Sequence, residues 1–222
     1  MRLLVRSLVL SCAIAAFTEP ADAQTCLGFP SLATGPVNIS AAGRVGGRFW
    51  GSAADVNVGR RGGGPFGSLG FSTVTYVDAP KETRYVYGSV LGFEFHRRDQ
   101  LIACPIITYA SERGKTIEYE PGLRSTTNGT IKAVGIGAAG EQNRGRFSVA
   151  PFFVVRYAEI ESEVSGDSTF SVTDHGFLGS AGLAFRWSDA LQVAPLFSFG
   201  TFPQQDMVFH LRLSIALQFR RN

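Results

Sequence analysis

The segment that most constrains the fold runs from Met207 to Phe219. Every odd position in it is apolar, while the even positions include His210, Arg212 and Ser214. Alternation with period two predicts a β-strand with one apolar face. Thirteen residues is long for a soluble strand, which usually has about five or six, but it suits a tilted membrane strand of about 9–11. The predicted lipid-facing residues of this strand are Phe209, Leu211, Leu213, Ile215, Leu217 and Phe219.

The same alternation recurs along most of the chain. It predicts ten strands, at 37–45, 52–59, 65–77, 85–95, 101–110, 130–140, 147–157, 170–187, 191–200 and 207–219. In the third strand the phase changes between Phe71 and Val74, which predicts a β-bulge or a different register there. We therefore expect an all-β fold, an antiparallel transmembrane β-barrel of ten strands, with eight strands as the alternative.

The predicted connections fall into two sets. The longer set is 46–51, 78–84, 111–129, 163–169 and 201–206, and the uniformly short set is 60–64, 96–100, 141–146 and 188–190. Longer loops at one end and short turns at the other are typical of bacterial transmembrane barrels. Pro105, Pro151 and Pro195 recur at spacings of 46 and 44 residues, which predicts a shared early position in three strands near the short-turn end.

Aromatic residues fall near both predicted strand ends. Tyrosines lie near the long-loop ends, at Tyr76, Tyr85, Tyr109 and Tyr157, and other aromatics lie near the short-turn ends, at Phe95, Phe147, Trp187 and Phe219. From Phe147 to Tyr157 a strand tilted by 45° rises roughly 23 Å, close to the apolar band of a membrane barrel. Two such belts predict two membrane interfaces.

The N-terminus predicts export. Residues 1–23 combine basic Arg2 and Arg6 with an apolar stretch and end in Ala21-Asp22-Ala23, so we expect a signal peptide cleaved before Gln24. A lipoprotein signal using Cys12 is the alternative. The expected domains are then the signal peptide 1–23, a tail 24–35 and a barrel 36–219.

Two cysteines remain after this cleavage, Cys26 in the tail and Cys104 in the fifth strand. In an oxidising compartment an even pair predicts a disulfide, and two unpaired buried thiols are the alternative. Because the alternation puts Cys104 on an inward position, the bonded tail would close or line the periplasmic mouth.

Polar residues occupy the faces opposite the apolar ones. The predicted lumen network is Arg44, Asp55, Glu94, His96, Arg156, Arg186, His210 and Arg212, and Asn57, Lys132, Gln192 and Gln218 share these faces. A charge on the lipid face would cost about 2–4 kcal/mol at mid-depth, whereas a lumen holding water tolerates pairs. Asp55 and Glu94 are the expected partners of the arginines. The network either rigidifies the lumen or lines a narrow path favouring anions, since ten strands leave little room for a wide pore.

The sequence gives little support for an enzymatic site. Asp174 and His175 lie near the long-loop end of a strand, but adjacent residues point to opposite faces. An enzyme at the outer rim would need the 111–129 loop to bring Glu112, Glu118 or Glu120 toward His175. The two cysteines and three dispersed histidines suggest no metal site, and no cofactor is expected. A net charge of +3 with scattered arginines does not favour nucleic acid as a partner.

The signal ending Ala21-Asp22-Ala23, the alternating strands over 36–219 and the segment Phe209 to Phe219 together resemble small bacterial outer-membrane β-barrel proteins. This resemblance implies an outer-membrane location and recognition of the aromatic-ended last strand by the barrel assembly machinery. The chain departs from the family in carrying Arg220-Arg221-Asn222 after its last phenylalanine. The resemblance implies no substrate and no catalytic residues.

The predicted function is thus a porin-like outer-membrane barrel with a structural or narrow-channel role and no catalysis. A channel would take a small solute or ion. The alternatives are a secreted soluble β-barrel that binds an apolar ligand and a barrel enzyme acting at the outer rim. A soluble protein would carry charged residues on the faces assigned to lipid, and the last strand has none.

Overall fold

The structure is a computed structural model. It describes residue 26 and residues 37–59, 64–77, 82–96, 101–120, 123–140, 142–144, 147–166, 169–187, 191–202 and 207–217. The predicted signal peptide and nearly all of the predicted tail lie outside these ranges. Within them the chain forms twelve strands: β1 Val37–Val45, β2 Phe49–Gly59, β3 Gly64–Tyr76, β4 Thr83–His96, β5 Leu101–Gly114, β6 Ile117–Glu120, β7 Leu123–Gly140, β8 Gln142–Arg144, β9 Phe147–Ser165, β10 Thr169–Arg186, β11 Leu191–Gly200 and β12 Val208–Leu217.

Ten of these strands close into a barrel. Each pairs antiparallel with its neighbours along the chain, β7 pairs with both β5 and β9, and β12 returns to β1. The short strands β6 and β8 only extend the edges of β7 and β9. The predicted ten-stranded antiparallel barrel is therefore confirmed. We call the end where β1 begins and β12 ends the proximal end, and the opposite end, which carries the β9–β10 hairpin, the distal end.

The outward positions of these strands are largely apolar. Leu69 on β3, Ile107 on β5 and Leu211 on β12 keep 70%, 61% and 51% of their surface exposed. Water-soluble proteins rarely leave apolar surface of this extent uncovered. On β12 the exposed apolar residues include Phe209, Leu213 and Ile215, as predicted, whereas the side chains of Leu217 and Phe219 lie outside the described part of the chain.

Of the two explanations for the phase change in β3, the β-bulge is wrong, and a register different from the one that the alternation indicated is correct. Pairing runs in constant register from Phe66↔Gly59 to Tyr76↔Phe49 on one side, and from Gly64↔Glu94 to Thr75↔Thr83 on the other. The apparent change of phase arises because an apolar residue, Val74, faces the lumen while Phe71 faces outward. Binary hydrophobicity misassigns such a residue, since a lumen also accepts apolar side chains.

The three prolines occupy equivalent sites. Pro105, Pro151 and Pro195 each lie four residues after the first residue of β5, β9 or β11, near the proximal end, as predicted. The β4–β5 register is the same before and after Pro105, from Gly92↔Ile106 to Phe95↔Ala103. The prolines therefore cause no register shift in this ladder.

The distal end is extended by strands rather than by loops. The predicted loop 111–129 is wrong for most of its length, because β5 continues to Gly114, β6 spans Ile117–Glu120 and β7 starts at Leu123. The hairpin of β9 and β10 is longer still, with 19 and 18 residues in its strands. From Thr169 to Phe177, β10 pairs with β9, and its ladder with β11 begins at Leu178. A sheet of β7, β9 and β10 thus projects beyond the rest of the barrel.

Aromatic side chains stand on outward positions at two heights. Tyr109 and Tyr157 are half exposed near the distal side, and Phe95 and Trp187 are exposed near the proximal end. The assignment of Tyr76 to this exterior belt is wrong, because its ring faces the lumen. In the described ranges, no helix is long and apolar enough to cross a membrane.

Candidate functional site in the barrel lumen

The predicted polar residues lie on inward positions at different depths. Seven of the eight do so: Arg44, Asp55, Glu94, Arg156, Arg186, His210 and Arg212. The register also places His96 on an inward position, but its side chain is outside the described set. Glu94 and Arg186 are buried near the proximal end, whereas Arg44 and Arg156 lie farther toward the distal end.

An apolar cluster fills the lumen between these groups. We call it the lumen core; it consists of Cys26, Phe66, Ile102, Cys104, Ile106, Ala139, Ala150, Phe152, Val154, Ala184, Ala194 and Leu196, with Val90 packed against it. Its largest members, Phe66 and Phe152, are each 5% exposed. Phe66 lies over Gly92, its cross-strand partner, where any side chain would collide with its ring. The lumen is therefore packed rather than open at this level.

The predicted disulfide is confirmed. Cys26 and Cys104 are bonded, with their Cα atoms 6.2 Å apart and a sequence separation of 78. Both are fully buried within the lumen core. A Cβ at Gly137, the cross-strand partner of Cys104, would lie 2.9 Å from the Cβ of Cys26. The bond thus ties the chain before β1 into the proximal lumen.

A second polar group, which the sequence did not reveal, lies near the distal mouth. Arg84 donates to Glu112 at 2.7 Å and to Glu82 at 2.8 Å. Its guanidinium carbon also lies 4.8 Å from the centre of the Tyr76 ring. Glu82 lies two residues before Arg84 in the chain, whereas the pairing of β4 with β5 brings Glu112 to the same arginine. Arg84 therefore neutralises part of the negative charge of these two carboxylates.

Between this group and the lumen core lie three arginines and one carboxylate. Asp55 accepts the Ser40 hydroxyl and interacts electrostatically with Arg44 and Arg212. Arg156 reaches across β7 to Thr108 on β5, with 3.3 Å between Nη1 and Oγ1. Asp55, Arg156 and Arg212 border a cavity of about 140 Å³.

The inward placement of Lys132 is wrong. Lys132 is exposed on the outer surface and donates to Glu159 and Glu161, each at 2.9 Å. Its neighbours show why: Ala133 is buried inside the barrel, so Lys132 must face outward. The hydrogen bond and charge of Lys132 hold the pKa of the exposed Glu159 below its usual range. These charges lie distal to Tyr157, where the outer surface changes from apolar to polar.

The residues of the enzyme alternative are not brought together. His175 lies on the outer surface, where its ring stacks on Tyr157 at 6.2 Å between centres. Glu112 instead bonds Arg84 within the lumen, and Asp174 pairs with Ile160 on the face opposite His175. The side chains of Glu118 and Glu120 are not described. Across the described ranges, no three His, Cys, Asp or Glu residues cluster as metal ligands would.

Solved structures share this architecture. No protein-family model matches the chain, and no curated protein sequence matches it. The translocator domain of the autotransporter NalP from Neisseria meningitidis is similar, with a TM-score of 0.61 and 12% identity over 82% of this chain and 88% of that one. The β domain of the Bordetella autotransporter Brka has a TM-score of 0.54 and 11% identity over 83% and 100%.

The chain has the fold of outer-membrane β-barrels. At such low identity the comparisons extend to architecture alone, and they confirm the fold predicted from the alternating strands. The exposed apolar exterior, with polar residues turned inward, has the chemistry that a bilayer requires of a barrel. The bacterial outer membrane is the location that fits both observations.

Proposed function

We propose that this chain is a structural outer-membrane barrel with a closed lumen, and that it acts neither as a channel nor as an enzyme. The lumen core carries this proposal. Phe66, Phe152 and Leu196 are nearly fully buried inside the barrel, and Cys26 is covalently fixed among them. A hydrated path for ions would have to displace these side chains, at a cost of several kcal/mol for the exposed apolar surface.

The sheet of β7, β9 and β10, which projects beyond the distal end, gives this barrel a surface outside the membrane. Strands β9 and β10 continue beyond Tyr157 and Phe177, and the outer face there carries Glu159, Glu161 and Glu163. On the outer face of a barrel, a charged side chain costs little free energy only where it lies outside the hydrocarbon. The proposed role is therefore to hold this sheet on the outside of the cell, with the barrel as its anchor.

Single-channel recording in planar bilayers tests the closed lumen. The wild-type barrel is expected to show no conductance steps. The double variant Phe66→Gly/Phe152→Gly removes the two largest side chains of the lumen core, and any steps should appear only in it. Phe71→Gly/Phe153→Gly, which empties outward positions on the same strands, is the matched control. Regular steps in the wild type would contradict the proposal and favour the narrow channel.

Export and assembly belong to the same proposal. Cleavage before Gln24 would leave 24–35 as the tethered tail and 36–219 as the barrel, and the intact mass of the mature protein measures this directly. Recognition of the last strand by the barrel assembly machinery rests on its outward apolar row, which includes Phe209 and Leu213. Deleting Phe219 to Asn222 should reduce assembly more than deleting Arg220 to Asn222. Equal effects would place the signal elsewhere.

A further inference from the structure

The cavity beside the lumen core has an unusual lining. Its apolar wall consists of Val90, Phe152, Val154 and Leu196, and its polar wall consists of Asp55, Ser68, Arg156, Ser180 and Arg212. The volume of about 140 Å³ corresponds to roughly four or five waters of the liquid. It is large enough for a tetrahedral oxyanion and too small for a nucleotide. Because the lumen core closes the proximal side, a ligand would enter from the distal mouth.

Two arginines, Arg156 and Arg212, and one carboxylate, Asp55, line this cavity. Arg44 and Arg212 share one carboxylate, Asp55. Arg156 makes one hydrogen bond, to the neutral Thr108, and no ion pair with a described residue. The other carboxylates of the distal lumen, Glu82 and Glu112, are already bound by Arg84. The lining of the cavity therefore carries one more positive than negative charge.

Such an excess calls for an anion. An arginine taken out of water without a counter-charge is costly, and an anion that binds there offsets the cost. Guanidinium groups present paired N–H donors that match the oxygens of phosphate and sulfate. The Nε of Arg156 is buried and has no hydrogen-bond partner, and Ser68 and Ser180 add hydroxyls to the wall. We propose that this cavity, between Arg156 and Arg212, binds a small tetrahedral oxyanion such as phosphate or sulfate.

Inorganic phosphate is the probe for this site. The full-length mature protein, folded in detergent micelles, is titrated with sodium phosphate at constant ionic strength, with sodium chloride as the balancing salt. The midpoint of thermal unfolding, read as the heat-dependent shift on a gel, should rise saturably with phosphate. Sodium sulfate should act similarly. A rise that chloride reproduces in full would reflect ionic strength alone and would overturn the proposal.

Two variants locate the effect. Arg156→Gln should weaken the apparent affinity for phosphate at least tenfold, and Arg156→Lys should recover part of it. The matched control Arg113→Gln removes an exposed, outward arginine of β5 and should leave the affinity unchanged. An equal loss in Arg156→Gln and Arg113→Gln, or no loss in either, would overturn the site.

If Arg156→Gln does not fold, another variant tests the anion site. Ser180→Asp places a carboxylate in the cavity wall, and it should raise the unfolding midpoint without phosphate and abolish the response to phosphate. Ser171→Asp, on the outer surface of the same strand, should do neither. A full phosphate response in Ser180→Asp would contradict the assignment.

Discussion

The side chain of Arg156 lies flat over Gly135, its cross-strand partner on β7. A Cβ at Gly135 would come within 2.6 Å of the Arg156 Cα and 2.7 Å of its Cγ, and would also meet the Val155 carbonyl oxygen. Only glycine leaves the space through which Arg156 reaches Thr108. The same pairing occurs where Arg44 faces Gly51 and Asp55 faces Gly70. Long polar side chains of the lumen thus depend on glycines in neighbouring strands.

Gly135→Ala should therefore destabilise the barrel by about 1–3 kcal/mol, the usual range for overpacking. The urea midpoint of unfolding in lipid vesicles measures the loss. Gly88→Ala is the matched control, because a Cβ at this inward glycine would have 3.6 Å to its nearest neighbour. Its effect should stay within about 0.5 kcal/mol. Equal losses in the two variants would show that Gly135 has no special packing role.

Two arginine substitutions at different heights on the outer surface test whether the exterior of the barrel contacts lipid. Leu213→Arg, on the middle of β12, should cost about 2–4 kcal/mol in a bilayer. Thr173→Arg, on the outer face of β10 distal to Phe177, should change stability by less than about 0.5 kcal/mol. Folding into vesicles followed by urea titration gives both values. Similar costs at the two positions would contradict a bilayer around β12.

The disulfide closes a long segment of chain. With a sequence separation of 78 between Cys26 and Cys104, loop-closure entropy predicts that Cys26→Ser lowers stability by roughly 4–5 kcal/mol. Reductant should lower the urea midpoint of the wild type to that of the variant and leave the variant unchanged. Under denaturing conditions without reductant, the mature wild type should expose no free thiol to maleimide. Two reactive thiols would disprove the bond.

The pairing of Lys132 with Glu159 depends on pH in a definite direction. Because the pKa of Glu159 is lowered in the folded protein, chiefly by its hydrogen bond from Lys132, the contact contributes at pH values above the usual pKa of a glutamate. It is lost as the pH falls through the lowered value. An NMR titration of the Glu159 carboxyl should show a higher midpoint in Lys132→Gln.

Lys115→Gln, which removes another lysine of the distal end, is the control for this titration. It should leave the midpoint of Glu159 where the wild type has it. An unchanged midpoint in Lys132→Gln would mean that the contact does not persist in solution. Because Glu159 is fully exposed, the effect on overall stability should be small.

The orientation of the barrel is open to labelling in whole cells. Thr173→Cys lies on the projecting sheet, and Trp187→Cys lies at the proximal end on a side chain that is 67% exposed. With Cys26 and Cys104 bonded, each variant carries one free thiol once residues 1–23 are removed. A membrane-impermeant maleimide should label Thr173→Cys in intact cells, and Trp187→Cys only after the outer membrane is opened. The reverse pattern would invert the topology.

Alternation in the sequence determined the strand count, the outward row of β12 and the inward position of Cys104. This worked because a barrel wall has two chemically distinct sides, and each residue step moves a side chain from one to the other. The rule failed at Val74 and Tyr76, an apolar and an aromatic residue that face the lumen, and at Lys132, which faces outward on the distal side of the apolar band. Hydrophobicity predicts the side of the barrel wall that a residue faces only where that side contacts one kind of environment, either lipid or water.

Only the tertiary structure decided what the lumen contains. Arg84 meets Glu112 because β4 and β5 pair in one particular register, and Arg156 finds room because Gly135 lies beside it on another strand. These contacts join residues 21 to 28 positions apart in sequence, and no local pattern encodes the register that brings them together. The sequence by itself specified which side of the wall most strand residues face, with Val74, Tyr76 and Lys132 as exceptions. Closure of the barrel decided which of them meet, since a shift of register by two residues keeps every face and changes every partner.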